Sequence, residues 1–193
     1  MFELIAVTSR ALCPGDLPGR IGALCAGGID RVILREKDLT PGEYEALARR
    51  ALAAGGERVI LHHFPAACAA LGASRLHLSL GELEADPALR ERVELLGVSV
   101  HAPDEAVRAQ ELGADYVTAG HVFDTSCKAG LPGRGLDFLR AVCAAVSIPV
   151  YAIGGVEGDK LSQIRAAGAA GACLMSGLMT CADPAGAVKA LRA

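Results

Sequence analysis

The chain has 193 residues, of which 52% are hydrophobic and 21% are charged, and its formal net charge at pH 7 is −3. This length suffices for one hydrophobic core, and the composition excludes an intrinsically disordered protein. The slightly acidic balance, with no block of Lys or Arg, excludes a basic nucleic-acid-binding surface, so we expect no nucleic-acid partner.

The first ten residues and the cysteines indicate the cellular location of the protein. The opening segment carries Glu3 and is too short for a signal peptide, and no apolar run is long enough to cross a membrane. The seven cysteines include no C-x-x-C pair. We therefore expect reduced thiols, a cytoplasmic location and no membrane partner.

One local pattern repeats in chain order: a helix-like segment ends in a small-residue turn, and a short apolar run follows. These runs are continuously apolar rather than alternating, which is typical of parallel strands buried on both faces. Including the similar runs elsewhere, we predict eight strands, at Glu3–Thr8, Arg31–Leu34, Arg58–Leu61, Arg75–Leu78, Leu95–His101, Tyr116–Ala119, Pro149–Ile153 and Ala172–Met175.

Eight strand–helix units of about 24 residues each predict a lean (β/α)8 barrel. The alternative is a doubly wound open sheet, which usually has fewer strands and a glycine-rich phosphate loop after the first one. Ser9–Pro14 follows the first strand here and contains no glycine. We therefore predict an α/β protein formed by a single TIM-barrel domain over residues 1–193.

In such a barrel the active site lies at the carboxyl ends of the strands, which selects among the polar residues. The polar residues at these ends include Arg35, Glu36, Lys37, His62, His63, His77, Ser79, Glu82, His101 and His121. Adjacent strand residues point to opposite faces, so at most one of His62 and His63 can face the barrel mouth. With no H-x-H or H-x-x-x-H spacing beside them, we expect no metal site.

Small residues follow the last two strands. Gly154 and Gly155 come after the seventh strand, and Ser176 and Gly177 after the eighth. Backbone N–H groups at these neighbouring ends predict a phosphate site, completed by the start of a short helix. The alternative is that these are ordinary turn glycines.

The segment 120–135 is a long polar loop with His121 at its root, and loops of this length often cover active sites. Histidine is suited to transferring a proton at neutral pH, so His121 is a candidate catalytic residue; the alternative is a structural histidine. Cys127, in the same loop, has no evident base to activate it.

Taken together, six segments resemble the thiamine-phosphate synthase/TenI family over essentially the whole chain. The matching segments are Arg35–Lys37, Leu96–His101, Gly113–Val117, Gly120–Lys128, Pro149–Gly155 and Met175–Gly177. The resemblance implies a TIM barrel that binds a small thiazole phosphate. It assigns Arg35 and Lys37 to substrate binding and adds Lys128 as a further candidate.

Within this family, the synthase pattern has an Asn-Asp-Arg run after strand three, whose Asp helps to bind magnesium. This chain has His62-His63-Phe64 there, and Glu82 at the place of the second magnesium Asp. The synthase pattern also has proline where His121 stands and threonine where Cys127 stands. The loop instead resembles that of TenI, the thiazole tautomerase.

This comparison predicts a cofactor-independent thiazole tautomerase in which His121 transfers the proton and Arg35 and Lys37 bind the substrate carboxylate. His101, Glu36 and Cys127 are the next candidates for the acid–base group. Two alternatives stay open: a thiamine-phosphate synthase, and a non-catalytic regulator that binds thiazole or thiamine phosphate. Association into a homo-oligomer is also left open.

Overall fold

The computed structural model describes residues 2–125 and 130–192. Eight parallel strands form a closed barrel in which each strand pairs with the next and β8 pairs with β1. The prediction of a (β/α)8 TIM barrel is therefore confirmed. The strands are β1 Glu3–Val7, β2 Arg31–Leu34, β3 Val59–His62, β4 Arg75–Ser79, β5 Leu95–Val100, β6 Tyr116–Gly120, β7 Val150–Ile153 and β8 Gly171–Leu174.

Helices follow the strands around the barrel. In the described part of the chain they are α1 Leu17–Ala26, α2 Pro41–Gly55, α3 Pro65–Ala70, α4 Leu80–Ala85, α5 Pro103–Glu111, α6 Gly135–Ala145, α7 Leu161–Ala166, α8 Ser176–Thr180 and α9 Pro184–Arg192. The start of α2 illustrates how the sequence sets these bounds. Thr40 accepts a hydrogen bond from the Glu43 N–H, Glu43 completes the capping box, and Pro41 stands in the first turn.

The core has two layers because strand residues alternate in direction. One cluster fills the barrel interior and consists of Ile5, Val7, Ile33, Ile60, Tyr116, Tyr151 and Cys173. A larger cluster lies between the strands and the surrounding helices and includes Leu34, Leu61 and Val98. Residues that continue the inward alternation beyond the strands therefore reach the barrel mouth, where the site was expected.

Seven of the eight strands differ from the sequence prediction by one residue at one or both ends, and two of these differences bear on the site. Strand β5 ends at Val100, because the His101 N–H donates to Glu105 Oε2 at 2.7 Å and the chain turns into α5. Strand β3 begins at Val59, since Arg58 belongs to a 3₁₀ turn, and it extends to His62. The extension places the His62 side chain among the inward positions of the barrel.

The cysteines and the helices can be compared with the predictions of reduced thiols and of no membrane-spanning segment. The six cysteines of the described segments are free, and Cys68 and Cys173 are buried in the core. Burial raises the pKa of both of these thiols, so they stay protonated and unreactive at neutral pH. Over residues 2–125 and 130–192, no helix has the length and apolar character needed to cross a bilayer.

Candidate active site

A basic pair lies at the end of β2. Arg35 and Lys37 are both exposed, and no carboxylate of the described residues forms an ion pair with either. Arg35 continues the inward alternation of β2 after Ile33, so it belongs to the barrel mouth. Two unneutralised cations at this point favour an anionic ligand by charge, and the assignment of Arg35 and Lys37 to substrate binding stays a prediction.

Glu36, between these two cations, is buried with only 4% of its surface exposed. Its Oε1 accepts hydrogen bonds from Thr8 Oγ1 at 2.6 Å and from the Arg10 N–H at 2.9 Å. Thr8 Oγ1 in turn accepts from the Arg35 N–H at 2.9 Å. Glu36 therefore joins the ends of β1 and β2 and fixes the backbone that carries the basic pair.

Two buried histidines lie beneath the mouth. His62 and His77 are 4% and 2% exposed, and their rings stack with centroids 5.6 Å apart. His77 Nδ1 lies 3.0 Å from the Tyr116 hydroxyl, and its Nε2 lies 2.8 Å from Ser99 Oγ. His62 Nδ1 is buried without a hydrogen-bond partner in the described part of the chain.

Burial makes both histidines neutral. Loss of solvation is the main cause that lowers the pKa of His62 to about 2, and the neighbouring His77 and Lys37 contribute to this shift. Burial likewise lowers the pKa of His77 to about 3, although the Glu82 charge acts in the opposite direction. At neutral pH these rings are therefore hydrogen-bonding groups rather than cations.

We expect the free energy of unfolding to fall as the pH decreases below about 6.5, the ordinary pKa of histidine. Below that pH the two histidines bind protons in the unfolded chain, whereas in the folded chain they stay unprotonated down to about pH 3. The free energy of unfolding therefore decreases by up to about 1.4 kcal/mol per pH unit for each histidine. Urea unfolding between pH 7 and 5 measures this slope. His77→Gln should roughly halve the slope. Equal slopes in the parent and in this variant would contradict this explanation.

His63 and Glu82 form a second pair at the rim, between β3 and β4. His63 adopts a left-handed backbone conformation with a φ of 72°, and its Nδ1 contacts Glu82 Oε1. Glu82 Oε2 accepts hydrogen bonds from the Ser79 N–H at 2.7 Å and from Ser79 Oγ at 2.5 Å, which caps α4. Both carboxylate oxygens of Glu82 are therefore in use.

His121 lies where the chain leaves β6, and its side chain is partly buried. Its Nε2 is 3.2 Å from the Leu131 carbonyl oxygen, so in this contact the ring N–H donates to the far arm of the loop. The Arg134 N–H donates to the His121 carbonyl at 3.0 Å. His121 thus holds the two described arms of this loop together. Cys127 and Lys128 lie outside the described residues.

Gly154 and Gly155 allow this loop to approach β7. Both have positive φ values, 94° and 63°. A Cβ atom at Gly154 would lie under 3.0 Å from the His121 side chain, and one at Gly155 would lie under 3.0 Å from the Asp124 carbonyl oxygen. The close backbone approach therefore requires glycine at both positions, in addition to any part they have in binding phosphate.

The strand ends predicted to bind phosphate are adjacent, because β7 pairs with β8. Helix α8 begins at Ser176, directly after the Met175 turn. Among the described residues, the N–H groups of Gly154, Gly155, Ser176 and Gly177 donate to no backbone carbonyl. They remain available to an anion, so the phosphate assignment stays a prediction that the geometry permits.

A groove of about 310 Å³ opens between the ends of β4 and β5, lined by residues that include Ser79, Ser99 and His101. His101 is half exposed, and its Nδ1 lies 3.4 Å from Glu105 Oε2. Ser99 and Thr118, whose hydroxyls are 3.2 Å apart beside His77, were not among the predicted site residues. The inward alternation of Gly97, Ser99 and His101 along β5 was the signal that could have found Ser99.

Comparison with known proteins identifies the family. The family model described as thiamine monophosphate synthase matches residues 4–178. The chain belongs to the thiamine monophosphate synthase family. The thiamine-phosphate synthase of Thermus thermophilus is 37% identical over 86% of this chain and 83% of its own length. That of Methanoregula boonei is 36% identical over 99% of this chain and 92% of its own length.

A solved structure gives the same result for the fold. The thiamine phosphate pyrophosphorylase of Pyrococcus furiosus superposes with a TM-score of 0.83 at 26% identity. The match covers 99% of this chain and 94% of that one. The likeness therefore extends around the whole barrel, including the strand ends that carry the candidate site.

The prediction of a thiazole tautomerase, and hence of an isomerase, is wrong. Relatives between 31% and 40% identical, which match most of the chain, carry the name thiamine-phosphate synthase. The tautomerase prediction depended on the loop at residues 120–128, whose last three residues lie outside the described part of the chain, and on His62-His63-Phe64 and Glu82 at the magnesium positions of the synthase pattern. Similarity distributed over the whole barrel outweighs these local features.

Proposed function

We propose that this protein is a thiamine-phosphate synthase, which joins a pyrimidine pyrophosphate to a thiazole phosphate and releases pyrophosphate. The observation that carries the proposal is the similarity to thiamine-phosphate synthases along nearly the entire chain, at 36% identity over 99% of it for the Methanoregula boonei relative. The free cysteines of the described segments agree with a reaction in the cytoplasm.

The geometry supports a division of the barrel mouth between the two substrates. Arg35 and Lys37 are unneutralised by any carboxylate of the described segments and suit the pyrophosphate group. The groove between β4 and β5 is large enough for a small heterocycle. The N–H groups at the ends of β7 and β8 suit the phosphate of the thiazole.

In the proposed reaction, a ring nitrogen of the thiazole forms a bond to the methylene carbon of the pyrimidine as the carbon–oxygen bond to pyrophosphate breaks. The electron pair of the broken bond stays on the leaving oxygen, so negative charge grows on pyrophosphate in the transition state. Arg35 and Lys37 would stabilise this charge from fixed positions, because Glu36 and Thr8 hold the β2 end in place. The two substrate sites would bring the reacting atoms together.

Incubation of the purified protein with both substrates tests the proposal, with thiamine phosphate measured by mass spectrometry. We expect product in amounts well above the protein concentration, and none when either substrate is omitted. Binding of thiazole phosphate without product would instead indicate a non-catalytic regulator and contradict the proposal.

A further inference from the structure

The family pattern implies a magnesium ion held by an Asp after strand three and an Asp after strand four, and this chain has His63 and Glu82 in those places. The two side chains contact each other directly, through His63 Nδ1 and Glu82 Oε1. The question is whether this pair fits the ion or replaces it.

The donor set does not fit magnesium. Mg²⁺ requires a compact octahedral shell of oxygen atoms, usually from one or two carboxylates, water and phosphate. One member of the pair offers nitrogen, and both oxygens of Glu82 already accept hydrogen bonds from His63 or Ser79. Binding an ion through Glu82 would therefore break either the His63 contact or the cap of α4.

The charge around the mouth also disfavours a cation. Arg35 and Lys37 follow β2, which pairs with β3, and no carboxylate of the described residues neutralises either charge. Over residues 2–125 and 130–192, no three His, Cys, Asp or Glu side chains converge as metal ligands would.

Given the proposed function, on which this inference rests, we infer that this protein binds the diphosphate group of its substrate through Arg35 and Lys37 without a divalent cation. The His63–Glu82 pair takes the place of the ion as a fixed contact between the β3 end and α4. Protein cations supply the positive charge that the diphosphate needs.

Isothermal titration calorimetry with inorganic pyrophosphate tests this inference on the full chain, once in EDTA and once in Mg²⁺. We expect binding in EDTA, with no gain in affinity from Mg²⁺. An affinity about tenfold or more higher in Mg²⁺, or no binding in EDTA, would overturn the inference.

Three variants sharpen the test. Arg35→Ala and Lys37→Ala should each weaken pyrophosphate binding in EDTA by about tenfold or more, whereas Arg49→Ala, on the outer face of α2, should not. If Arg35→Ala and Lys37→Ala both bind as the parent does, the inference fails. Circular dichroism confirms that each variant is folded.

Glu82→Gln separates two roles of Glu82, the capping of α4 and the binding of a metal ion. Glutamine can keep the capping box but lacks the carboxylate charge. We expect this variant to bind pyrophosphate in Mg²⁺ at least as tightly as the parent does, and a loss of about tenfold or more would contradict the inference. These measurements need no turnover. Pyrophosphate binding that does not need a metal, without formation of product, would reject the proposed function but not this inference. Formation of product, together with pyrophosphate binding that requires Mg²⁺, would reject this inference but not the proposed function.

Discussion

Arg35→Ala should lower kcat/KM for thiamine phosphate formation by about 10²–10³-fold, the usual effect of removing one group that stabilises transition-state charge. Arg35 continues the inward alternation of β2, its backbone is held by Thr8, and no carboxylate of the described segments neutralises its charge. Its guanidinium is the group best shaped to bind two phosphate oxygens at once. Arg35→Lys should recover part of the loss, because it restores the charge but not the paired geometry.

Steady-state kinetics with the pyrimidine pyrophosphate as varied substrate measures this effect. Arg49→Ala is the charge-matched control, since Arg49 pairs with Glu45 on the exposed face of α2. The control should keep the kcat/KM of the parent. A rate for Arg35→Ala within about threefold of the parent would show that the basic pair does not bind the reacting group.

Gly97→Ala should destabilise the protein by about 3 kcal/mol or prevent folding, which is the largest stability effect we expect. Gly97 points into the barrel on β5, and a Cβ atom there would lie under 3.0 Å from both the Tyr116 ring and His77 Nδ1. Tyr116 is 1% exposed and hydrogen-bonded to His77, so neither ring can move aside at low cost.

Gly42→Ala is the matched control, since a Cβ atom there meets nothing within 4 Å in α2. Alanine should be neutral or slightly stabilising at this helical position. Urea unfolding gives the free energy of unfolding for both variants. Equal stabilities for Gly97→Ala and the parent would show that the barrel interior repacks more easily than this geometry implies.

The barrel was predictable because its signals are local. Turns such as Gly113-Ala114-Asp115 end a helix and begin a strand, and eight apolar runs separated by helical segments leave few other architectures. Arg35, Lys37 and the glycine-bearing ends could also be assigned to the mouth, since the fold places strand ends there. The strand bounds differ from the prediction by one residue, and at the end of β5 the cause is the hydrogen bond from the His101 N–H to Glu105.

The contacts within the site were not predictable, because they join residues that are distant in the sequence. Glu36 was a candidate acid–base group, yet closure of β1 on β2 brings Thr8 onto its carboxylate. The family resemblance places His63 and Glu82 at one site, but their separation of 19 residues does not indicate that the side chains contact each other directly. Both contacts depend on strand register, which one-dimensional spacing does not encode.

The function was mispredicted for a related reason. His121 suggested proton transfer because histidine is the usual group for it at neutral pH. In the folded chain its ring N–H binds the Leu131 carbonyl and its backbone contacts Arg134, so it has a clear part in holding the loop. A single reactive residue at a strand end is thus weaker evidence of activity than similarity around the whole barrel.

Phosphorus NMR of the protein with both substrates tests the proposed synthase activity most directly, since it follows every phosphate group in one experiment. We predict that free pyrophosphate and thiamine phosphate appear together in a one-to-one ratio, over many turnovers, as the signals of both substrates decline. Unchanged substrate signals, or a thiazole phosphate signal that changes without release of pyrophosphate, would contradict the assignment as a thiamine-phosphate synthase.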